Sequence, residues 1–494
     1  MTAASAAGIL VFLLGVPAIA ALLFAFPRHR RLLLALMVFT ICYVKKPFYQ
    51  EVFFVNYRGV DRGFAVTIPD LFFFGFFLFA LLGGLKRKLV WIPFNSVPWF
   101  FVILISALSL VGTEVPFYGT FTIHKFIRCW ILYWVVVNVV REKEDVYAVL
   151  AGLAASLVFQ GFLVFWSKYI TGSVVNRSVG SFRHPNTLAM YVDLIGPMLM
   201  GALLSGRLPR RLNTLALVAI FAGFVSVIFT KSRAAIVLVP AALGCVIAVS
   251  LVMKPTARKM AIASVGMAGA LLVLAIAMPR IVRRFQTAPE ESAETRHYFN
   301  DAAKAMADEN PVGIGINLYS WSLANTDYYW YVYPDMVDVP DPEEFRESIR
   351  GQSRLGTAHH IYWLYAAEIG YVGCGFFVLH LAIFSGLTAW VFIREKDRLH
   401  KGIALGILVG TTFHHVHGTL EWIFRQTEVQ YLYFIQMGLI VAIWRMRPAR
   451  SGVTPRKAAG RRKRELPGPR GRAPLAVVHA RGVSSSPEAS RDEP

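Results

Sequence analysis

Charge is scarce in this chain. Only 16% of its 494 residues are Asp, Glu, Lys or Arg, against about 25% in soluble proteins of ordinary composition. Acidic residues are scarcer still, 30 against 51 Lys plus Arg. Cysteine is nearly absent: Cys42, Cys129, Cys245 and Cys374 all lie inside apolar stretches, and none has a CxxC partner. Such spacing gives no support to a disulfide framework, a zinc site or a redox dithiol, and small apolar filling is the simplest role for the four. No lysine follows Gly313-Ile314-Gly315 at P-loop spacing, and the pair is not a GxGxxG. No internal repeat is visible, and no soluble signalling domain can be recognised.

What the chain does have is apolar length. It is 56% hydrophobic and 14% aromatic, with 37 Phe, a composition suited to lipid as solvent. A bilayer is crossed by about twenty apolar residues. Such stretches fall at roughly 8–26, 32–50, 67–85, 96–113, 122–140, 146–167, 186–205, 212–230, 233–253, 260–279, 361–393, 401–418 and 428–446. Lys45 and Lys46 interrupt the second, and the eleventh is long enough to hold a short interfacial helix before its span. The expected fold is therefore all-α: a polytopic membrane protein with about 12–13 transmembrane helices and one large outer loop domain. Helices 1–10 would lie within 1–279, the loop at 280–358, helices 11–13 within 359–446, and a disordered basic tail at 447–494.

Basic residues set the orientation. Arg28/Arg30/Arg31, Lys86-Arg87-Lys88, Arg141/Lys143, Arg207/Arg210/Arg211, Lys254/Arg258/Lys259 and Arg394/Lys396/Arg398/Lys401 occupy every second loop. By the positive-inside rule these loops and the C-terminus are cytoplasmic, and the other loops face outward. The first apolar stretch carries its positive charge after its core, so a retained helix is expected rather than a signal peptide. A formal charge of +21 would suggest nucleic acid in a soluble domain. Here it orients helices, and no nucleic acid is expected. Arg461-Arg462-Lys463-Arg464 in the tail could hold anionic headgroups, or be an exposed polar segment with no specific partner.

Three patches stand where apolar segments meet outward loops: Gly180-Ser181-Phe182-Arg183-His184-Pro185-Asn186, Lys231-Ser232-Arg233, and Ala358-His359-His360 reaching to Glu368-Ile369-Gly370. Ionisable residues are costly there unless they bind something. Lys231 and Arg233 flank a helix N-terminus, where the dipole already favours an anion, although Arg233 alone could simply snorkel to headgroups. Lys125 and Arg128, near the outer end of the fifth segment, form a further candidate anion contact. Arg296 opens a helical stretch expected around Thr295 to Asp308, where a solvated ion pair is the plain alternative. His359 and His360 have the ring whose pKa suits proton transfer near neutrality. Glu368 lies nine residues beyond His359, on the opposite helical face, so the two are not expected to pair. His414, His417 and Glu421 share i, i+3, i+7 spacing, which suits a metal but also packing or hydrogen bonding to a polar substrate. Gly313 and Gly315 read as a turn bringing the loop back to the membrane. The loop also holds an aromatic cluster at Tyr328 to Tyr333 and an acidic stretch from Asp335 to Glu347.

In their order along the chain, these patches resemble the O-antigen ligase and polymerase superfamily of bacterial envelope glycan enzymes. The family's G-x-F-x-x-P-N element is matched by Gly180 to Asn186, and its S-R element by Ser232-Arg233. Its loop arginine and P-x-G-x-G are matched by Arg296 and Pro311 to Gly315. Its final A-H-N…A-E-x-G is matched by Ala358-His359-His360 through Ala367-Glu368-Ile369-Gly370, with His360 standing where the family usually has asparagine. The resemblance covers about residues 175–375.

It implies a glycan donor on undecaprenyl diphosphate and an acceptor hydroxyl on lipid A–core or another lipid-linked glycan. It also implies inverting, metal-independent glycosyl transfer without a cofactor, at the periplasmic side of the inner membrane. Carried over, Arg233 and Arg296 would hold the diphosphate and His359 would position or deprotonate the acceptor hydroxyl. Beside these three, Lys231, Arg183, His184, Asn186, Lys125, Arg128, His360, Glu368, Gly313, Gly315, His414 and His417 are candidate substrate contacts on the reading of the residues themselves. Ligation to lipid A–core, polymerisation of O-antigen or exopolysaccharide repeat units, and, from another class, transport of a lipid-linked oligosaccharide are the functions in view. Transporters favour repeats and midplane sites, whereas these charges gather at the outer edge beside a large loop.

Overall fold

A backbone crossing lipid must satisfy its polar groups internally, which makes each long apolar stretch a helix. The computed structural model describes residues 3–43, 49–50, 59–86, 88–171, 177–286, 291–333, 343–344 and 356–446. Its helices are α1 (Ala3–Ala25), α2 (Arg30–Thr40), α3 (Ile68–Leu81), α4 (Ser96–Leu108), α5 (Pro116–Val139), α6 (Lys143–Phe165), α7 (Pro185–Leu204), α8 (Arg210–Thr230), α9 (Arg233–Met253), α10 (Ala257–Gln286), α11 (Glu291–Glu309), α12 (Tyr319–Asn325), α13 (Ile361–Arg394), α14 (Arg398–His417) and α15 (Thr427–Arg445). Among the described residues the only strands are β1 (Tyr49–Gln50) and β2 (Ala65–Val66), an antiparallel pair. Eight helices, α1, α5 to α10 and α13, are long and apolar enough to cross a membrane, and α3 and α4 are shorter apolar helices. The protein is an all-α polytopic membrane protein.

The boundaries depart from expectation in instructive places. The second apolar stretch is α-helical only to Thr40 and tightens into a 3₁₀ turn at Ile41–Tyr43. The third ends at Leu81, just before Gly83-Gly84, and the fourth at Leu108. The tenth runs to Gln286 rather than stopping at 279. Lys45-Lys46, Arg87, the tail from 447 and, apart from residues 343 and 344, the acidic stretch Asp335 to Glu347 lie outside the described residues.

Helix α7 is buried along its whole length and forms the centre of the bundle. Its closest neighbour is α14, which turns Gly402, Gly406 and Gly410, spaced by four, toward it. A Cβ on Gly406 would lie 2.2 Å from the Pro197 carbonyl oxygen. In lipid no hydrophobic force drives helices together, so such small-residue stripes, which let backbones touch, provide the contact. Large apolar side chains such as Leu13, Phe221, Val237, Val265 and Leu272 on α1 and α8 to α10 are exposed, as lipid-facing positions should be.

The described part of the insertion after α10 folds back onto the bundle. α11 packs along α13, and the 311–315 turn docks on a break inside α13, where Ile369 and Gly370 leave helical geometry. Backbone N–H groups of Ile314 and Gly315 donate to the carbonyls of Ala367 (2.9 Å) and Glu368 (3.0 Å). Gly370 has φ +70°, and a Cβ there would sit 2.1 Å from the Pro311 carbonyl oxygen. The P-x-G-x-G and A-E-x-G sequences are thus two halves of one backbone joint.

The bundle has two distinct ends. At one, basic residues meet polar partners: Arg30 Nη2 lies 2.7 Å from Asp145, Lys143 Nζ 3.2 Å from Asp397, and Arg258 donates to Asn213. At the other lie the N-termini of α7, α9 and α13 and the α14–α15 loop. Gly370→Ala should separate the joint at that end, through both positive-φ strain and backbone overlap. A loss of about 2–4 kcal/mol, read as a lower melting temperature in detergent, is expected.

Candidate active site

The polar end is built from helix starts. Pro185 suits the first turn of α7 because its fixed φ is helical and it lacks the N–H that would go unbonded there. His184 caps the same turn, its Nδ1 accepting from the Asn186 backbone N–H at 3.2 Å. Asn186 is thereby held at the mouth of the central helix. Its Oδ1 accepts from Arg177 Nη2 (2.8 Å), while Arg177 Nε donates to the Thr230 carbonyl (2.9 Å) at the end of α8. Lys231, in the left-handed region at φ 53°, ends α8, and Arg233 opens α9. The Lys231-Ser232-Arg233 turn is therefore tied to Asn186 through Arg177. Arg233 itself makes no hydrogen bond or ion pair among the described residues.

Glu421, in the α14–α15 loop, is the hub, at 2% exposure. Its Oε1 accepts from Arg296 Nη2 at 2.9 Å and from the Asn186 side-chain amide. His359 Nδ1 lies 3.4 Å from Oε2. Arg296 and Phe299, three apart on α11, share a face, and Phe299 stacks on the His359 ring. One carboxylate thus gathers residues from three separate sequence patches. Burial alone would raise the Glu421 carboxyl. The contact with His359 and the charges of Arg296, His359 and His417 outweigh burial and bring it down to about 2. Burial first, then Arg177, His359 and Arg296, push His184 down to about 4 against the opposing pull of Glu421.

Beside this cluster lies a cavity of about 310 Å³ that shares the Trp422–Thr427 segment with the loop of Glu421 and is lined by Lys125, Arg128, Arg183 and Arg425. Three of these cations are backed by carboxylates: Lys125 Nζ by Asp61 (2.6 Å), Arg128 Nη1 by Asp70 (2.7 Å) and Arg425 Nη1 by Glu368 (2.6 Å). Arg183 is exposed at the rim. A basic wall of this kind suits a phosphate-bearing ligand, since guanidinium and ammonium donors bind phosphate oxygens by charge-assisted hydrogen bonds.

The remaining sequence candidates divide by position. His360 caps α13, its Nδ1 accepting from the Trp363 N–H (3.3 Å), so of the adjacent pair only His359 meets Glu421. Glu368 pairs with Arg425 behind the cavity, and Gly313 and Gly315 belong to the backbone joint on α13. His417 Nδ1 is 2.6 Å from Asp193 on α7. His414 is buried against Phe424, away from the Glu421 cluster. Among the described residues no three His, Cys, Asp or Glu side chains converge as metal ligands. Asp61, Arg177, Asp193 and Arg425 escaped the sequence reading, as did the central place of Glu421. Arg425 carried the same signal as the others, a charge at the end of an apolar segment.

An all-helical bundle with eight described helices long and apolar enough to cross a membrane is a multi-pass membrane protein. Residues 216–378 match the family model described as O-antigen ligase, a segment that runs from α8 into α13 and holds Arg233, Arg296 and His359. By that match this segment is similar to the O-antigen ligase and polymerase superfamily. The match supports a membrane glycan ligase- or polymerase-type, glycosyltransferase-like function with lipid-linked glycan substrates. No curated protein matches the chain.

Because the Glu421 carboxyl is held at about 2 against an ordinary 4.5, its contribution to stability is complete above about pH 4.5 and is lost as pH falls toward 2. The depressed value corresponds to roughly 3 kcal/mol. The gap in melting temperature between wild type and Glu421→Gln, followed from pH 7 to pH 3, should shrink to roughly half or less at the acid end. Parallel curves would contradict the assignment.

Proposed function

We propose that the protein transfers a glycan from undecaprenyl diphosphate to an acceptor sugar hydroxyl, in the manner of an O-antigen ligase acting on lipid A–core. The observation that carries this reading is the meeting of Arg296, Asn186 and His359 on Glu421, beside a cation-lined cavity at a single end of the bundle. In the reaction, the acceptor oxygen attacks the anomeric carbon from the face opposite the diphosphate. The bond from that carbon to the diphosphate oxygen breaks with both electrons leaving on the phosphate, and the configuration inverts. The hydroxyl proton passes to the imidazole of His359, acting as general base.

Negative charge grows on the diphosphate as it leaves. Arg233, which makes no pair among the described residues, and Arg296 offset it in this reading, and preorganised donors in a water-poor site are worth most where charge develops. Lys125, Arg128, Arg183 and Lys231 extend the cationic surface along the donor. Basic loops at the other end orient the bundle in the inner membrane, with the reaction on the periplasmic side.

His359→Ala and Arg233→Ala should each lower glycan transfer at least about 100-fold, with protein in the membrane at wild-type level. Gel profiles of surface glycan from complemented cells read the effect, and a normal ladder in both variants would sink the assignment. Deletion of the gene should leave free lipid A–core and polymer stranded on its carrier. Single repeat units instead would identify the polymerase of O-antigen or exopolysaccharide.

A further inference from the structure

The transfer reaction needs an imidazole that accepts a proton at one nitrogen while the other is held. The two nitrogens of His359 differ in their surroundings. Nδ1 is buried and without a hydrogen bond, and Glu421 Oε2, also buried and unbonded, is 3.4 Å away. The other oxygen of the same carboxylate is fixed by Arg296 and Asn186. Glu421 lies beyond residue 378, outside the matched segment, and outside the motif patches.

From this geometry we infer that Glu421 is a positioning residue, a carboxylate that holds Nδ1 of His359 as the protonated nitrogen and turns Nε2 toward the acceptor hydroxyl. The inference rests on the glycosyltransferase reading and deepens it. A carboxylate in this place fixes both tautomer and ring orientation, and offsets the imidazolium formed when the proton arrives, without itself taking the proton. The Arg296 and Asn186 bonds prevent the carboxylate from rotating away. The arrangement makes Arg296 serve two partners, the leaving diphosphate and the residue that aims the base.

The other charged groups around Glu421 are arranged to leave this role to it. His417, from α14, is committed to Asp193 at 2.6 Å. His184 is committed to capping α7, and Arg177 donates to Asn186, which in turn donates to Glu421.

The test uses full-length protein in detergent, membranes of the deletion strain as the source of accumulated lipid-linked glycan and acceptor, and farnesyl diphosphate as a binding probe. Glu421→Gln should cut turnover about 100-fold while KM for the membrane-borne donor and the affinity for farnesyl diphosphate stay within about two-fold of wild type. The double variant His359→Ala/Glu421→Gln should be no slower than His359→Ala alone, because residues acting as a unit are strongly non-additive. Glu421→Asp, which keeps the charge facing Arg296, should fall between wild type and Glu421→Gln, and it serves in the same cycle if the glutamine variant fails to accumulate. Wild-type turnover in both variants overturns the inference. So does a loss confined to KM, or one that multiplies with that of His359→Ala, either of which marks a structural role. Full activity of His359→Ala by itself would instead remove the glycosyltransferase assignment to which the inference is attached.

Discussion

A charge enclosed by apolar helices must find its opposite, and this requirement organises the polar end of the molecule. Removing one partner of a buried pair costs about 3–5 kcal/mol, because the other is left uncompensated in a medium that cannot solvate it. Lys125 and Arg128 in α5 reach Asp61 and Asp70, and Arg425 in the last loop reaches Glu368 in α13. Arg296 in α11 reaches Glu421. Every one of these pairs joins segments far apart in the chain. Neutrality and tertiary structure are here the same condition.

The α14–α15 loop is where the two polar regions meet. Glu421 gathers the histidine cluster, and Arg425, four residues on, closes the back of the cavity with a guanidinium stacked over the Tyr365 ring at 5.1 Å. A shift in that loop would move both together. The Glu421 cluster and the cation-lined cavity therefore keep a fixed separation.

Much of the fold could be read from apolar length, since lipid allows few alternatives to a helix. Thirteen helices fall where apolar stretches were expected. Ends were less legible: α3 and α4 stop early, and the break in α13 depends on a turn some fifty residues upstream. The candidate site was legible where a short motif constrains the backbone, as at Pro185-Asn186 and His359. His360 shows why such reading needs coordinates. Asparagine, the family's usual residue there, is a preferred N-cap, and the histidine performs that capping with Nδ1, so the departure leaves the neighbouring His359 in place. Partners such as Arg177 and Asp193 were not legible, because nothing local distinguishes a paired charge from a solvated one until the helices are packed.

Helix α7 has no surface facing lipid. Helices at the periphery, with apolar side chains exposed, can tilt to match the hydrocarbon depth around them at small cost. The central helix, locked to α14 by backbone contact, takes no part in that adjustment. Since Asn186 sits at its mouth, the register of the polar cluster is insulated from membrane thickness and lipid composition, while the outer helices absorb the variation.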